Sequence, residues 1–201
     1  MGASLPSRSP NPRSCCWPAW PRRGSLRVGG KARRFAASAA VLLTACAAAL
    51  SCEPDASPIF ACDAAKGRKF IELCATSSGA TGPGTLQYRF GSLDGEGREK
   101  AVELEFPRSL DASHRKFFGA TYTHQGVYTQ SIRFVSGGYG YTVFTRSKGN
   151  QLVGAGVDVR NTATGKTLSV DCSERPRFYI FELQGLVPCD PDTPVGNACI
   201  Q

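Results

Sequence analysis

From Ile59 onward, apolar and polar residues alternate with a period of two, and glycine turns break the alternation at short intervals. Ile59–Ala64 and Lys69–Ala75 flank a turn at Lys66-Gly67. Leu86, Tyr88 and Phe90 alternate with polar neighbours, and so do Val102, Leu104 and Phe106 beyond a charged, Gly-rich turn at 91–98. Pro107 stops that second run. Leu110–Phe118 is the stretch that suits a helical turn or two, with Asp111 as its cap. Then follow strand-like runs at Gly119–His124, Val127–Val135, Tyr139–Arg146, Leu152–Asn161, Lys166–Cys172 and Arg177–Leu183. Gln125-Gly126, Gly137-Gly138, residues 148–150 and Thr164-Gly165 punctuate them. Connections this short imply antiparallel neighbours. The pattern predicts an all-β fold, a single antiparallel β-barrel or sandwich of about eight to ten short strands. Closure into a barrel removes the exposed strand edges that an exported protein must otherwise protect.

The first quarter of the chain reads differently. Residues 1–30 are rich in Pro, Ser, Arg and Gly, without a hydrophobic period that could bury a face. Lys31-Ala-Arg-Arg34 then precedes the apolar stretch Phe35–Cys46, the order of an export signal. The uncharged run from Phe35 to Cys52 is borderline in length for a membrane span, and its alanine-rich content favours a signal segment. Val28-Gly-Gly-Lys-Ala-Arg-Arg34 makes an ordinary signal beginning, so translation is expected to start near Val28 and 1–27 to be untranslated. Leu43-Thr-Ala-Cys46 resembles the lipobox of bacterial lipoproteins, which implies lipidation of Cys46. Alanines 47–49 equally suit an ordinary signal peptidase, leaving a soluble exported chain from near Leu50. A lipid at Cys46 would tether the protein without spanning the bilayer.

Charge sharpens this division. The chain has 201 residues and a formal net charge of +8, which invites a nucleic-acid or membrane-surface partner. Eight of the 24 basic residues lie in 1–51, where there is no acidic one. The remaining sixteen face all sixteen Asp and Glu in 52–201, so the folded part is balanced. No nucleic-acid partner is expected.

Nine cysteines reduce to six once Cys15, Cys16 and Cys46 are set aside. An even number in an oxidising compartment reads as disulfides among Cys52, Cys62, Cys74, Cys172, Cys189 and Cys199. Cys189 and Cys199 bracket a turn-rich loop and are expected to staple the C-terminal tail. A hairpin at Lys66-Gly67 sets Cys62 opposite Ile71, leaving Cys74 about 10 Å away and out of bridging range. Cys62 is therefore assigned to Cys172, and Cys74 to Cys52 as the remainder. Without a CxxC, and with His114 and His124 as the sole imidazoles, no metal or cofactor is expected.

Candidate chemistry is sparse. There is no GxSxG elbow. His114 and His124 fall where exposed loops are expected. Asp94, Glu96 and Glu99 are interleaved with Arg98 and Lys100 and read as a solvated turn. Glu103 and Glu105 read as the polar face of a half-buried strand. Tyr122, Tyr128, Tyr139 and Tyr141 lie close in sequence, and two readings stay open: strand packing or an amphipathic recognition patch.

Ile59-Phe-Ala-Cys62, Ile71-Glu-Leu-Cys74, Leu86–Gly91, Tyr128–Phe134 with Gly138–Phe144, and Gly156–Val159 with Leu168–Cys172 resemble a set of small exported bacterial proteins of uncharacterised function. The resemblance covers about residues 58–173. More distantly, a Cys-containing first strand and a closing Cys resemble the membrane-bound and periplasmic inhibitors of C-type lysozyme. That resemblance implies binding through a Ser- and Gly-rich loop with a basic residue nearby. Ser136-Gly137-Gly138-Tyr139 is the counterpart here, with Arg133 and Arg146 the nearest basic residues and none inside the motif.

The sequence thus reads as an export region (1–51), a β-barrel-like domain (52–186) and a stapled tail (187–201). The expected function is non-catalytic binding in the cell envelope, as a lipoprotein on the periplasmic side of the outer membrane or as a soluble periplasmic or secreted protein. The candidate surface is Ser136, Gly137, Gly138, Tyr139, Tyr141, Tyr128 and Arg133, and a lysozyme is the most specific candidate partner. A structural or stress-related envelope lipoprotein and an unrecognised hydrolase are the alternatives.

Overall fold

The structure is a computed structural model that describes residues 52–53, 55–76 and 84–201. The export region, the Val28 start and the lipidation of Cys46 lie outside these residues. Among the described residues there are twelve strands: β1 Ser57–Ala64, β2 Lys69–Ala75, β3 Leu86–Leu93, β4 Glu99–Phe106, β5 Phe118–His124, β6 Val127–Ser136, β7 Tyr139–Lys148, β8 Gln151–Asn161, β9 Thr167–Asp171, β10 Arg177–Phe178, β11 Asp190–Thr193 and β12 Gly196–Ala198. Two one-turn 3-10 helices, Ser113–Lys116 and Ile180–Leu183, complete the elements.

The strands form two five-stranded antiparallel sheets, ordered β10-β1-β2-β3-β4 and β5-β6-β7-β8-β9. Alternation sends one side chain in two inward from each. Phe60, Ile71, Leu73, Leu86 and Tyr88 of the first sheet meet Ile132, Phe134, Val143 and Val157 of the second in one core. Phe134 is its hub. Its ring stacks on Phe106 at 4.5 Å and on Tyr141 at 4.8 Å, with Tyr88 at 5.0 Å and Phe117 at 5.4 Å. Aromatic pairs at such spacings add to the burial of their area.

Of the two architectures the pattern allowed, this is the sandwich, with one corner stitched. There Ala64 of β1 bridges to Cys172, the Ser173 N–H donates to the Asp63 carbonyl at 2.7 Å, and Cys62 is bonded to Cys172. The other two disulfides are Cys52–Cys74 and Cys189–Cys199. The register places Cys62 opposite Ile71.

Two expectations are corrected. Arg177–Leu183 is not one strand: after Phe178 the Tyr179 N–H donates to the Ile59 carbonyl, and the chain turns into a 3-10 helix that buries Ile180 and Leu183. An extended run would have placed these two residues on opposite faces. The short helix after β4 is capped by Ala112 in the left-handed region, not by Asp111, and no side chain caps it. The last fifteen residues are stapled by Cys189–Cys199, and they pack on the domain. Ile200 and Val187 join the core, and β11 and β12 form a hairpin against β5. Backbone N–H groups of Gly119 and Thr121 donate to the carbonyls of Pro188 (2.8 Å) and Cys199 (3.0 Å), so the hairpin covers the free edge of β5.

Candidate functional site

The β6–β7 hairpin turns at Gly137 and Gly138, both with positive φ (57° and 80°), as a two-residue hairpin turn of this hand requires. Side chains of Ser136 and Tyr139 flank the turn, and Tyr139 is 42% exposed. The neighbouring β8–β9 turn is tied to it. Thr162 donates to the Gly138 carbonyl from its N–H (3.0 Å) and from its hydroxyl (2.8 Å). The Asn161 carboxamide oxygen accepts the N–H groups of Ala163 and Thr164, which fixes the shape of that second turn.

Beside the paired turns, the outer face of the second sheet holds an open groove of about 560 Å³. Gly140 and Thr142 of β7 form its floor. Its walls are Arg133 and Val135 of β6, Arg160 with Thr162, and Asp192 with Thr193 of the C-terminal hairpin. Register explains the arrangement: Val135, Gly140 and Arg160 are successive partners across three strands. A Cβ at Gly140 would meet nothing closer than the Arg160 carbonyl at 3.9 Å, so the small residue keeps the floor low.

The two arginines differ. Arg133 is occupied: its guanidinium donates to Asp190 at 2.7–3.0 Å, reaches Asp192 at 3.0 Å, and lies 4.8 Å from the Phe118 ring centre. Arg160 is exposed and has no carboxylate partner among the described residues. A free guanidinium beside Val135 suits a ligand that presents a carboxylate next to an apolar surface.

Further along the same face, Arg146 donates to Asp158 at 2.6 Å and lies 3.7 Å from the Phe144 ring centre. The Ser169 hydroxyl reaches the other oxygen of Asp158. Tyr122 bonds to Thr129, and burial pushes its phenol above the usual range. These pairs bind one another and make the face a rigid support.

Of the seven expected surface residues, the structure brings Arg133, Ser136, Gly137, Gly138 and Tyr139 to one end of the second sheet. Tyr141 is separated from them: its ring stacks on Phe134 beneath the sheet, and burial pushes its phenol up. Tyr128 pairs with Ser147 at the opposite end of β6, roughly 26 Å from Ser136 at the strand rise. The tyrosine group therefore divides between core packing and two distant surfaces. Arg160 and Thr162 escaped the sequence reading. Only the β7–β8 register could have signalled them, because twenty residues separate Arg160 from Gly140.

His114 is corrected as well. It is buried, and its Nδ1 lies 3.1 Å from the Gly84 carbonyl. The neighbouring Ser113 hydroxyl accepts the Leu86 N–H at 2.8 Å. Both polar groups thus fasten backbone. His124 ends β5 exposed. Asp94 accepts the N–H groups of Glu96 and Arg98 and the Arg98 side chain, which holds its carboxyl below the usual range. Glu103 pairs with Lys69 and Glu105 with Gln87 across the first sheet. Cys52, Glu72 and Cys74 group within coordination distance of one another, with their two sulfurs bonded together.

No helix among the described residues is long and apolar enough to cross a membrane. No family model, curated protein or solved structure matches the chain.

Proposed function

We propose that this is an exported, non-catalytic binding protein of the cell envelope, tethered by a lipid at Cys46, and that it binds through the paired turns and groove around Gly138. The observation that carries this reading is the Arg160 guanidinium. It stands without a carboxylate partner among the described residues, beside exposed Val135, in a groove whose other guanidinium, that of Arg133, is paired. Three disulfides suit an oxidising compartment, and two of them, Cys62–Cys172 and Cys189–Cys199, brace the edges of the second sheet. Preorganisation of this kind favours binding, since little freedom is lost when a partner docks.

In its most specific form the partner is a lysozyme. The resemblance to lysozyme inhibitors calls for a Ser- and Gly-rich loop with a basic residue, and the sequence motif lacked one. Arg160 supplies it from the neighbouring strand, opposite Gly140. Glycosidases of this kind work with a pair of carboxyl groups in a cleft, a natural receiver for a guanidinium.

The test is inhibition of C-type, G-type and I-type lysozymes by the purified protein. Inhibition of at least one is expected, with Arg160→Glu and Tyr139→Ala abolishing it at unchanged thermal stability. No inhibition at several-fold excess over all three overturns the lysozyme form. A structural envelope lipoprotein would then remain the better description.

A further inference from the structure

Glu72 lies on β2 with its side chain fully buried on the outer face of the first sheet. One carboxylate oxygen accepts from Arg89 at 2.8 Å. The other, Oε1, is buried with no hydrogen-bond partner among the described residues. An unpaired buried carboxylate oxygen is costly and calls for an explanation. The neighbour that offers one is the Cys52–Cys74 disulfide: a Glu72 carboxylate oxygen and both Sγ atoms lie within 4.8 Å of one another. While the sulfurs are bonded to each other they carry no proton to donate. Two thiols would.

The position of Cys52 points the same way. It is half-buried on a segment ahead of β1 that belongs to no strand, whereas Cys74 is buried within β2. Opening this bridge breaks no ladder of the sheet. Opening Cys62–Cys172 would release the stitched corner, and opening Cys189–Cys199 would loosen the hairpin that covers β5.

We propose that Cys52–Cys74 is a thiol–disulfide exchange site for a dithiol partner, and that Glu72 acts in it as the proton donor and acceptor for Cys74. A thiolate of the partner attacks the accessible Cys52 Sγ. The S–S bond breaks and its electron pair goes to the Cys74 sulfur, which takes the proton of the Glu72 carboxyl group. The partner's second thiolate then attacks the partner sulfur of the mixed disulfide. Cys52 leaves as a thiolate and takes a proton from water. The partner is oxidised to a disulfide and the protein gains two electrons. The two protons taken up match the two that the partner's thiols release, and Glu72 recovers its own from solvent. In the reduced state the Cys74 S–H lies within reach of the Glu72 carboxylate. Burial pushes the Glu72 carboxyl above its ordinary range, against the opposing pull of Arg89.

The test follows the three disulfides of the full chain separately, by timed reduction with dithiothreitol, alkylation and peptide mass analysis. Cys52–Cys74 is expected to open first, with the strand signal in circular dichroism unchanged. Glu72→Gln is expected to slow that opening by on the order of a hundredfold, the usual contribution of a positioned acid. In the same molecule Cys189–Cys199 should react at its wild-type rate, a result that general destabilisation would not produce. Earlier opening of either other bridge overturns the proposal, and so does an unchanged rate in a folded Glu72→Gln variant. Should that variant fail to fold, the order of opening in the wild-type protein still decides.

Discussion

At the scale of single residues, burial rather than residue type sets the chemistry. Glu72 and Glu103 are both glutamates on the first sheet, yet Glu72 is buried beside Arg89 while Glu103 stands at the exposed edge with Lys69. The folded Glu72 carboxyl holds its proton above the ordinary value of 4.5, because burial disfavours the charge. The native state therefore binds more protons than the unfolded chain in the window from 4.5 up to that raised value. Its stabilising contribution is complete below the window and is lost as pH rises through it. Melting temperatures taken from about pH 4 to about pH 8 should show this slope in the wild-type protein and a flatter one in Glu72→Gln. Gly91 offers a second residue-level test. A Cβ there would lie 2.0 Å from the Ala101 carbonyl oxygen and 2.6 Å from the Phe70 ring. Gly91→Ala should cost about 1–3 kcal/mol in denaturant unfolding. Neither property was readable in the sequence, where Glu72 looks like any polar strand position and Gly91 like a turn residue.

Among the elements, the C-terminal hairpin has a role that its composition conceals. The run from Asp190 to Ala198 reads as turn-rich and unable to pack. Yet Cys189–Cys199 closes it, and its flanks cover the edge of β5 through Pro188 and Cys199. Replacing both cysteines by serine should cost about 2–3 kcal/mol, the chain entropy that a loop of this length restores to the unfolded state. Amide exchange should rise most at Gly119 and Thr121, whose N–H groups donate to that hairpin. Faster aggregation should accompany the exposed edge. An edge of the first sheet, β4, presents Glu99, Lys100, Glu103 and Glu105, charges that discourage pairing with another chain.

For the whole molecule, two sheets share one aromatic hub, so damage at Phe134 should spread to both. Phe134→Ala removes a ring that touches Phe106, Phe117, Tyr88 and Tyr141 and should cost about 3–5 kcal/mol. Tyr139→Ala, on the exposed turn, should leave the melting temperature unchanged. Calorimetry of the two variants separates the aromatic hub from the exposed turn.

Period-two alternation and glycine turns determined the all-β class and most strand positions, because each depends on neighbours only a few residues apart. The Cys62–Cys172 pairing was also within reach, since a hairpin register excludes the nearer partner. The approach of Arg160 to the Gly137-Gly138 turn, the burial of His114, the orphaned oxygen of Glu72 and the folding of the tail onto β5 were decided only by tertiary structure. Each depends on which strand lies beside which and in what register. Those choices bring together residues far apart in sequence, and no local pattern carries them.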